Sequence, residues 1–276
     1  MSRGELTERP AGGSPNLPSL SCSRDNWKML AALFIAAQIA VISHRGEHLA
    51  HPENTLPAFE AAIEAGADFF ELDVRTTSDG RLVLMHDGTV NRTTDGKGKV
   101  RELTVDQIRA LDAGAKFDPK FTGTKVPTFE EGLNLAHGKI GVYVDCKELL
   151  PADLVAALKK SDMLKNVVIY GDPGFLKDVL ALEPSLLAMP EAGNAARLEK
   201  LVSNLNLRVA AFDKGDFNDD VIAMAKRLKI KIYVDRLWDA DKPEFWQNAV
   251  DRGADGIQTD HPAALVEYLR SRGLHK

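Results

Sequence analysis

Strand-like and helix-like segments alternate along this chain, and the alternation predicts one large α/β domain of the (β/α)8 TIM-barrel class. Nine short apolar runs are typical of strands, one more than a barrel needs. A turn at Asp79-Gly80 accounts for the surplus, because it predicts a hairpin whose return strand lies outside the barrel. No Gly-x-Gly-x-x-Gly follows a strand, so an open dinucleotide-binding sheet has no support.

The hydrophobic pattern places the elements in order. Strands are predicted at 38–43, 69–74, 81–86, 141–147, 167–170, 186–189, 209–212, 230–234 and 256–259. Helices are predicted at 55–65, 103–113, after the Thr128–Glu131 capping box, and at 152–160, 174–182, 195–204, 219–228, 243–252 and 263–272. The segment 88–125 is too long for an ordinary connection, and it is predicted to be an inserted loop region over the C-terminal mouth of the barrel.

The chain before the barrel divides into two parts. Residues 1–28 contain Gly, Pro and Ser without apolar periodicity, which indicates a disordered tail. Residues 29–40 are too short for a stable membrane span; they resemble the hydrophobic region of a secretory signal peptide, with small residues near Ala36 as a cleavage site. The rival interpretation is that their second half is simply the first strand. We expect a barrel domain at 41–276, exported to the periplasm or outside the cell if the signal peptide is real and cytoplasmic otherwise.

Composition excludes several classes of partner. The net charge of −5 argues against a nucleic-acid partner, and no Lys/Arg cluster of the kind that binds anionic lipid is present. Two cysteines, Cys22 and Cys146, do not make a disulfide framework. Cys146 alternates with polar neighbours on its strand, so we expect it to pack in the apolar layer.

Glu71 and Asp73 stand two residues apart on an apolar strand. Side chains of a strand alternate between its faces, so both carboxylates point the same way. Two carboxylates on one apolar face repel each other unless a cation lies between them. A hard divalent ion, Mg²⁺ or Ca²⁺, fits this pair of oxygen ligands.

Two histidines join this pair at strand ends. The hairpin would bring His86 close to Asp73, and His44 ends the first strand. Two histidines beside a metal suit in-line displacement at phosphorus, one as base and one as acid. A single histidine or Glu-x-Asp at a strand is more often an ordinary solvated or hydrogen-bonded group. The coincidence of all four within 41–87 favours a site.

A series of motifs carries a resemblance to a known family. They are His44-Arg45-Gly46, Glu53-Asn54-Thr55, Glu71-Leu72-Asp73-Val74, His86-Asp87, the Asn91–Gly98 stretch, Val126–Phe129 and Gly253–Asp260. In order and spacing they resemble the signature of the glycerophosphodiester phosphodiesterase family, bacterial type, over about residues 40 to 272. The resemblance also implies the barrel.

This resemblance implies metal-dependent hydrolysis of a small-molecule glycerophosphodiester to sn-glycerol 3-phosphate and an alcohol. It assigns the acid–base pair His44 and His86, the phosphate-binding residues Arg45 and Lys147, and the metal ligands Glu71, Asp73 and Asp145. Which histidine is the base stays open, as do the nucleophile (an activated water or a neighbouring substrate hydroxyl) and the oligomeric state.

Two departures from the family pattern bear on activity and substrate. The family usually has Glu where this chain has Asp145, and the shorter side chain would draw the third ligand back from the metal. Many members have Trp where this chain has Asp235. With Glu191 and Asp213 it predicts an acidic mouth that would attract a cationic head group such as choline or ethanolamine, to which Trp238 could add a cation–π contact.

The remaining polar residues near the mouth receive structural roles. We expect Glu53 and Asn54 to orient Arg45 or His44. His48 and His51 lie close enough in sequence to reach the metal, but we expect them to be solvated in their loop. Asp260 is predicted to cap the last helix, because Asp260-His261-Pro262 immediately precedes it.

Two alternative functions remain open. A lysophospholipase D-like enzyme would need an apolar groove at the mouth, and the polar segment 88–125 speaks against one. A non-catalytic glycerophosphodiester-binding protein would keep the pocket without turnover, with the departure at Asp145 as its reason.

Overall fold

The computed structural model of the protein describes Met1 and residues 38–276. The predicted tail at 1–28, Met1 apart, and the predicted signal-like region up to residue 37 lie outside the described residues. Within the described part, no helix combines the length and the apolar character needed to cross a bilayer.

The described strands form one sheet. They are β1 (Ala40–Ser43), β2 (Phe69–Thr76), β3 (Leu82–Leu84), β4 (Gly141–Glu148), β5 (Val167–Tyr170), β6 (Leu187–Met189), β7 (Val209–Phe212), β8 (Lys231–Arg236) and β9 (Gly256–Thr259). Eight of them are parallel neighbours in the order β6-β5-β4-β2-β1-β9-β8-β7. Among the described strands, β3 pairs only with β2, antiparallel, and is therefore the hairpin strand outside the barrel. The predicted barrel with an added hairpin is confirmed.

Helices follow the strands. They are α1 (Leu56–Glu64), α2 (Val105–Ala110), α3 (Phe129–Ala136), α4 (Pro151–Lys160), α5 (Pro173–Leu182), α6 (Ala195–Leu205), α7 (Asp219–Leu228), α8 (Pro243–Arg252) and α9 (Pro262–Arg270). Thr128 accepts a hydrogen bond from the Glu131 N–H in the predicted capping box at the start of α3. Asn194 and Asn218 cap α6 and α7 through their side chains in the same way.

The barrel closes between β6 and β7 through a short contact. A single bridge pairs Glu191 with Ala211. Its hydrogen bonds run from the Ala192 N–H to the Ala211 carbonyl (2.9 Å) and from the Ala211 N–H to the Pro190 carbonyl (3.0 Å). The other neighbouring strands of the barrel share longer ladders, so this seam is the thinnest part of the described wall.

Two apolar layers fix which side chains enter the barrel. The larger core lies between strands and helices and includes Cys146 at its edge, as strand alternation predicts. The smaller core fills the barrel interior with Ile42, Tyr143, Val168, Met189, Val209, Ala211 and Tyr233. Side chains two residues further along a strand lie on the same face. The interior therefore continues at the carboxyl ends into His44, Asp145, Glu191, Asp213 and Asp235.

The inserted segment is a compact subdomain with a core of its own. Buried Val90, Val100 and Ile108 pack there against Val83 and Met85 of the hairpin. The segment is thus ordered and attached to β3, beside the mouth of the barrel, where His48, Arg92 and Phe117 line a cavity of about 200 Å³.

Candidate active site

The turn after β1 is built tightly. Arg45 (φ 52°) and Gly46 (φ 77°) both adopt left-handed backbone conformations. A Cβ on residue 46 would lie 2.7 Å from the Ala58 backbone of α1, so only glycine fits. The turn directs the Arg45 N–H to the Glu71 carboxylate (2.7 Å to Oε2). Backbone geometry thus connects the end of β1 to β2.

Three carboxylates converge at the barrel mouth. Asp73 and Asp145 are paired residues on the adjacent strands β2 and β4, and Glu71 stands two residues before Asp73. One oxygen from each lies within 4.8 Å of the others, and Glu71 and Asp73 are buried. Asp73 Oδ1 is buried and accepts no hydrogen bond of regular geometry, although the Lys147 ammonium lies 3.2 Å away. An all-oxygen set with such an atom has the chemistry that binds a hard divalent cation.

The electrostatics of this triad also favour a cation. Burial, followed by repulsion from Asp73 and Asp145, raises the pKa of Glu71 well above its usual value. Burial and Asp73 raise the pKa of Asp145. Lys147 provides the counter-charge, with its Nζ 2.7 Å from Asp145 Oδ2 and 3.2 Å from Asp73 Oδ1. This ammonium and the Arg45 guanidinium, whose Nε lies 3.6 Å from Asp73 Oδ2, balance part of a three-carboxylate cluster.

Residues around Arg45 differ in part from the prediction. Glu53 accepts from Arg45 Nη1 (3.2 Å), as predicted. The Asn54 side chain does not orient Arg45 or His44. Instead, both polar atoms of its amide group form hydrogen bonds with Asp73. Its Nδ2 donates to Asp73 Oδ2 (2.7 Å) and its Oδ1 accepts from the Asp73 N–H (3.0 Å). Asn54 takes a left-handed conformation (φ 56°), which Asn tolerates, so that its side chain turns back toward β2.

The predicted helix cap at Asp260 is wrong. Helix α9 has His261 at its N-cap position and no side-chain cap. Asp260 instead lies 2.8 Å from His44, between Oδ1 and Nδ1, and both side chains are buried. Because β1 and β9 are neighbours with Ser43 paired to Thr259, the next residue on each strand meets the other. Asp260 and His44 form a carboxylate–imidazole pair.

Asp260 is itself held on several sides. The Trp238 N–H donates to Asp260 Oδ2 (3.0 Å). Buried Asp241 accepts from the Asp260 N–H (2.5 Å), and also from Trp246 Nε1 (2.7 Å). Burial alone would raise the pKa of Asp260, but the hydrogen bonds from His44 and the Trp238 N–H outweigh it and the pKa lies below its usual value. The partner of His44 is therefore a fixed carboxylate.

His48 also differs from the prediction of a solvated loop residue. Its Nδ1 is 2.8 Å from the His44 carbonyl oxygen, and its Nε2 is 3.6 Å from Asp260 Oδ1. His51 pairs with Glu47 through Nδ1 and Oε2 (2.9 Å). His48 thus belongs to the surroundings of the His44–Asp260 pair.

His86 follows the hairpin strand β3, which pairs with the strand that carries Glu71 and Asp73. The Met85 N–H donates to the Asp73 carbonyl (2.9 Å), which brings the following residue to the mouth. His86 Nδ1 is 2.9 Å from Asp87 Oδ1, and Arg75 donates twice to the His86 carbonyl (3.1 and 2.8 Å). The structure thus brings all seven predicted site residues to one mouth.

An acidic wall of Glu191, Asp213 and Asp235 faces the triad across the mouth. The Tyr170 hydroxyl donates to Glu191 Oε2 (3.0 Å). Burial, followed by hydrogen bonding and repulsion from Asp216, raises the pKa of Glu191 to about 8. Burial, followed by repulsion from Asp213, raises the pKa of Asp235 to about 7. Tyr170 and Asp216 were missed at the sequence level.

Known proteins resemble this chain in sequence and in fold. A protein from Caldanaerobacter subterraneus subsp. tengcongensis named glycerophosphodiester phosphodiesterase is 35% identical over 249 residues, or 84% of this chain and 98% of that protein. A glycerophosphodiester phosphodiesterase structure from Agrobacterium tumefaciens matches with a TM-score of 0.74 and 27% identity, covering 83% of this chain and 99% of the other. An Oleispira antarctica phosphodiesterase in complex with the product sn-glycerol-3-phosphate shares the fold, with a TM-score of 0.75 and 22% identity over 84% of this chain and 97% of the other.

The family itself is matched directly. The sequence profile described as "Glycerophosphoryl diester phosphodiesterase family" covers residues 44–264, most of the barrel domain. The predicted family and the predicted enzyme class, a phosphoric diester hydrolase, are confirmed. This chain belongs to the glycerophosphoryl diester phosphodiesterase family.

Proposed function

We propose that this protein hydrolyses glycerophosphodiesters to sn-glycerol 3-phosphate and an alcohol with the help of one divalent cation, Mg²⁺ or Ca²⁺. The observation that carries the proposal is that two histidines, each hydrogen-bonded to an aspartate, lie beside a carboxylate triad of which Glu71 and Asp73 are buried. The product bound to the Oleispira antarctica phosphodiesterase supports the choice of product.

His44 is the proposed general base. Asp260 at Nδ1 favours the tautomer with the proton on that nitrogen, which leaves Nε2 free to accept one. Burial, opposed by the hydrogen bond to Asp260, lowers the pKa of His44. The imidazole is therefore neutral at pH 7, the form a base requires.

His86 is the proposed general acid. Its side chain is about one-third exposed at the rim, and Asp87 fixes its Nδ1. The nucleophile forms a bond to phosphorus and gives its proton to His44. The ester bond to the head group breaks, and His86 protonates the departing alcohol oxygen. With a water as the nucleophile this step gives sn-glycerol 3-phosphate directly. With a neighbouring substrate hydroxyl it gives a cyclic phosphodiester, whose ring a water must then open to release sn-glycerol 3-phosphate.

Glu71, Asp73 and Asp145 would hold the cation. When bound, it supplies positive charge that stabilises the phosphoryl oxygens in the transition state. Arg45 and Lys147 lie against the triad and are proposed to bind the phosphate through charge-assisted hydrogen bonds.

The test is hydrolysis of glycerophosphocholine by the purified protein. We expect release of sn-glycerol 3-phosphate that EDTA abolishes and that Mg²⁺ or Ca²⁺ restores. His44→Ala is expected to lower kcat by about 10²–10⁴-fold, the usual contribution of a general base. Lysophosphatidylcholine in the same assay tests the lysophospholipase D alternative.

The assay also separates catalysis from binding. Tight glycerophosphocholine binding without product under any cation would refute the proposal and favour the binding-protein alternative, with Asp145 as the cause. Activity that survives complete removal of metal would refute the role of the triad.

The acidic wall predicts a head-group preference that depends on pH. Raised pKa values keep Glu191 and Asp235 largely protonated at pH 6, and both ionise by pH 9. Because only the ionised wall attracts a cation, we expect the ratio of kcat/KM for glycerophosphocholine to that for glycerophosphoglycerol to increase over this range at low salt.

Two matched variants test whether the acidic wall causes this pH dependence. Asp235→Asn should flatten the pH dependence of the ratio, whereas Asp220→Asn, which changes an exposed carboxylate on α7, should leave it unchanged. Equal or faster hydrolysis of the neutral head group across the whole range would contradict the prediction.

A further inference from the structure

Arg92 of the inserted segment lies between two carboxylates of the barrel mouth. Its guanidinium donates to both oxygens of Glu53, with Nη1–Oε2 at 2.6 Å and Nη2–Oε1 at 2.8 Å. It also donates to both oxygens of Asp87, with Nε–Oδ2 at 2.8 Å and Nη2–Oδ1 at 2.9 Å. One side chain thus makes two bidentate contacts, the strongest geometry that arginine offers to a carboxylate.

Each of these carboxylates has a second partner in the site. Glu53 Oε1 accepts from Arg45 Nη1 (3.2 Å), and Asp87 Oδ1 contacts His86 Nδ1 (2.9 Å). Arg45, Glu53, Arg92, Asp87 and His86 therefore form one continuous chain of charge-assisted hydrogen bonds.

We propose that Arg92 is a positioning residue that fixes the position of His86 relative to Arg45. The leaving oxygen then lies at His86 while the phosphate is bound by Arg45. This inference rests on the proposed function, in which His86 is the acid and Arg45 binds phosphate. It assigns the inserted segment a part in catalysis through a single side chain.

The physical reason is that, without Arg92, the flexible carboxylates of Glu53 and Asp87 would no longer be held in a fixed position relative to each other. Without Arg92, Glu53 would be free to pair fully with Arg45, and Asp87 would turn toward solvent and carry His86 with it. Lysine cannot replace the function, because a compact ammonium has no planar fork to fix two carboxylates at once. Positions within a site need control to a fraction of an ångström, and a misplacement of about 1 Å can cost about 10²-fold in rate.

The chain offers a matched control on the same segment. Arg109 of α2 makes a bidentate pair with Glu131 at the start of α3, with Nη1–Oε2 at 2.5 Å and Nη2–Oε1 at 2.9 Å. This pair also fastens the inserted segment to the barrel, but neither residue contacts a proposed site residue. Arg109→Ala therefore reports what loosening the segment does by itself.

The experiment compares two substrates that differ in leaving group. Glycerophosphocholine needs its alcohol protonated, whereas the p-nitrophenyl diester of glycerol 3-phosphate releases a stable phenolate and needs little acid catalysis. Wild type, Arg92→Ala, Arg92→Lys, His86→Ala and Arg109→Ala are measured on both substrates with the restoring cation present, and the melting temperature of each is recorded.

For Arg92→Ala and Arg92→Lys we expect kcat on glycerophosphocholine to fall by about 10–100-fold. On the p-nitrophenyl substrate most of the loss in kcat should disappear, as for His86→Ala. A rise in KM should persist on both substrates, because Glu53 then pairs fully with Arg45 and draws it away from the phosphate. Arg109→Ala should stay within about twofold of wild type in kcat on either substrate. If Arg92→Ala fails to fold, Arg92→Lys carries the test.

Either of two results would overturn the inference while wild type is active. One is a folded Arg92→Lys and Arg92→Ala with wild-type kcat and KM on glycerophosphocholine. The other is an equal loss of kcat on both substrates, which would mark a general structural role. A wild type that hydrolyses neither substrate, with any cation, would instead refute the proposed function and the inference with it.

Discussion

Asp260→Asn is expected to lower kcat by about 10³–10⁴-fold with little change in KM, comparable to the effect of replacing the aspartate in a Ser-His-Asp triad. The reason lies in the second oxygen of Asp260, which accepts from the Trp238 N–H. An asparagine would place its carbonyl oxygen there and turn its NH₂ toward His44. That imidazole would then have to accept at Nδ1 and carry its proton on Nε2, where it cannot act as the base.

The measurement combines steady-state kinetics with the ¹⁵N chemical shifts of His44, which report the tautomer directly. Asp255→Asn is the matched control: Asp255 precedes β9 as Asp260 follows it, and its Oδ2 accepts only a structural bond from the Ile232 N–H (2.9 Å). A folded Asp260→Asn enzyme with kcat within tenfold of wild type, or with an unchanged His44 tautomer, would contradict the assigned role.

Glu71→Gln is expected to have opposite effects on activity and on stability. The amide oxygen can still accept from the Arg45 N–H, but one of three charges that attract the cation is lost. We expect metal binding and turnover to fall to background. Without metal the folded protein should become more stable, because a buried carboxylate in contact with like charges is replaced by a neutral group.

The direction of the stability change follows from the raised pKa of Glu71. The folded protein binds this proton more tightly than the unfolded chain does, so in EDTA the stability of wild type should increase as the pH falls through the raised pKa. Glu71→Gln should remove this part of the pH dependence. At pH 7 in EDTA it should raise the melting temperature by about 2–4 °C for each kcal/mol of relieved repulsion.

Calorimetry in EDTA tests the predicted gain in stability, and isothermal titration with Mg²⁺ and Ca²⁺ tests the predicted loss of metal binding. Glu148→Gln is the control, since this partly exposed carboxylate at the end of β4 pairs with Arg75 outside the triad. Retained metal affinity in Glu71→Gln would remove Glu71 from the ligand set, and a lower melting temperature in EDTA would show that repulsion is not what dominates there.

Local patterns were enough to predict the parts of the site that depend on a single strand or hairpin. Strand alternation placed Glu71 and Asp73 on one face, and the Asp79-Gly80 turn brought the third strand back along the second. These two relations hold whatever the rest of the chain does. Asp145 came instead from the family resemblance, and the structure pairs it with Asp73 on the next barrel strand.

Contacts that depend on closure could not be obtained this way. Asp260 meets His44 only because the last barrel strand lies beside the first, some 216 residues away in sequence. An aspartate just before a helix is typically an N-cap, and this local pattern led to the wrong prediction that Asp260 caps the last helix. Once a barrel is assumed, however, polar residues at the ends of its first and last strands are expected to be neighbours, and this signal was available.

The proposed role of Arg92 could not be predicted from the sequence either. It depends on how the inserted segment packs on β3, which no periodicity encodes, and the resemblance placed Arg92 in the Asn91–Gly98 motif without giving it a role. Asn54 is similar, because its left-handed backbone sends the side chain back to Asp73 rather than onward to the neighbouring loop.

The thin seam between β6 and β7 has a consequence for the motions of the native protein. Two backbone hydrogen bonds close it, and one of the bridging residues is Glu191 of the acidic wall. Local opening costs least where fewest bonds must break, so amide hydrogens beside the bridge should exchange with solvent sooner than those of β1 or β2. A substrate bound to Glu191 would bridge the two strands of this seam. Bound substrate should therefore slow the local opening of the barrel wall, and with it the amide exchange beside the bridge.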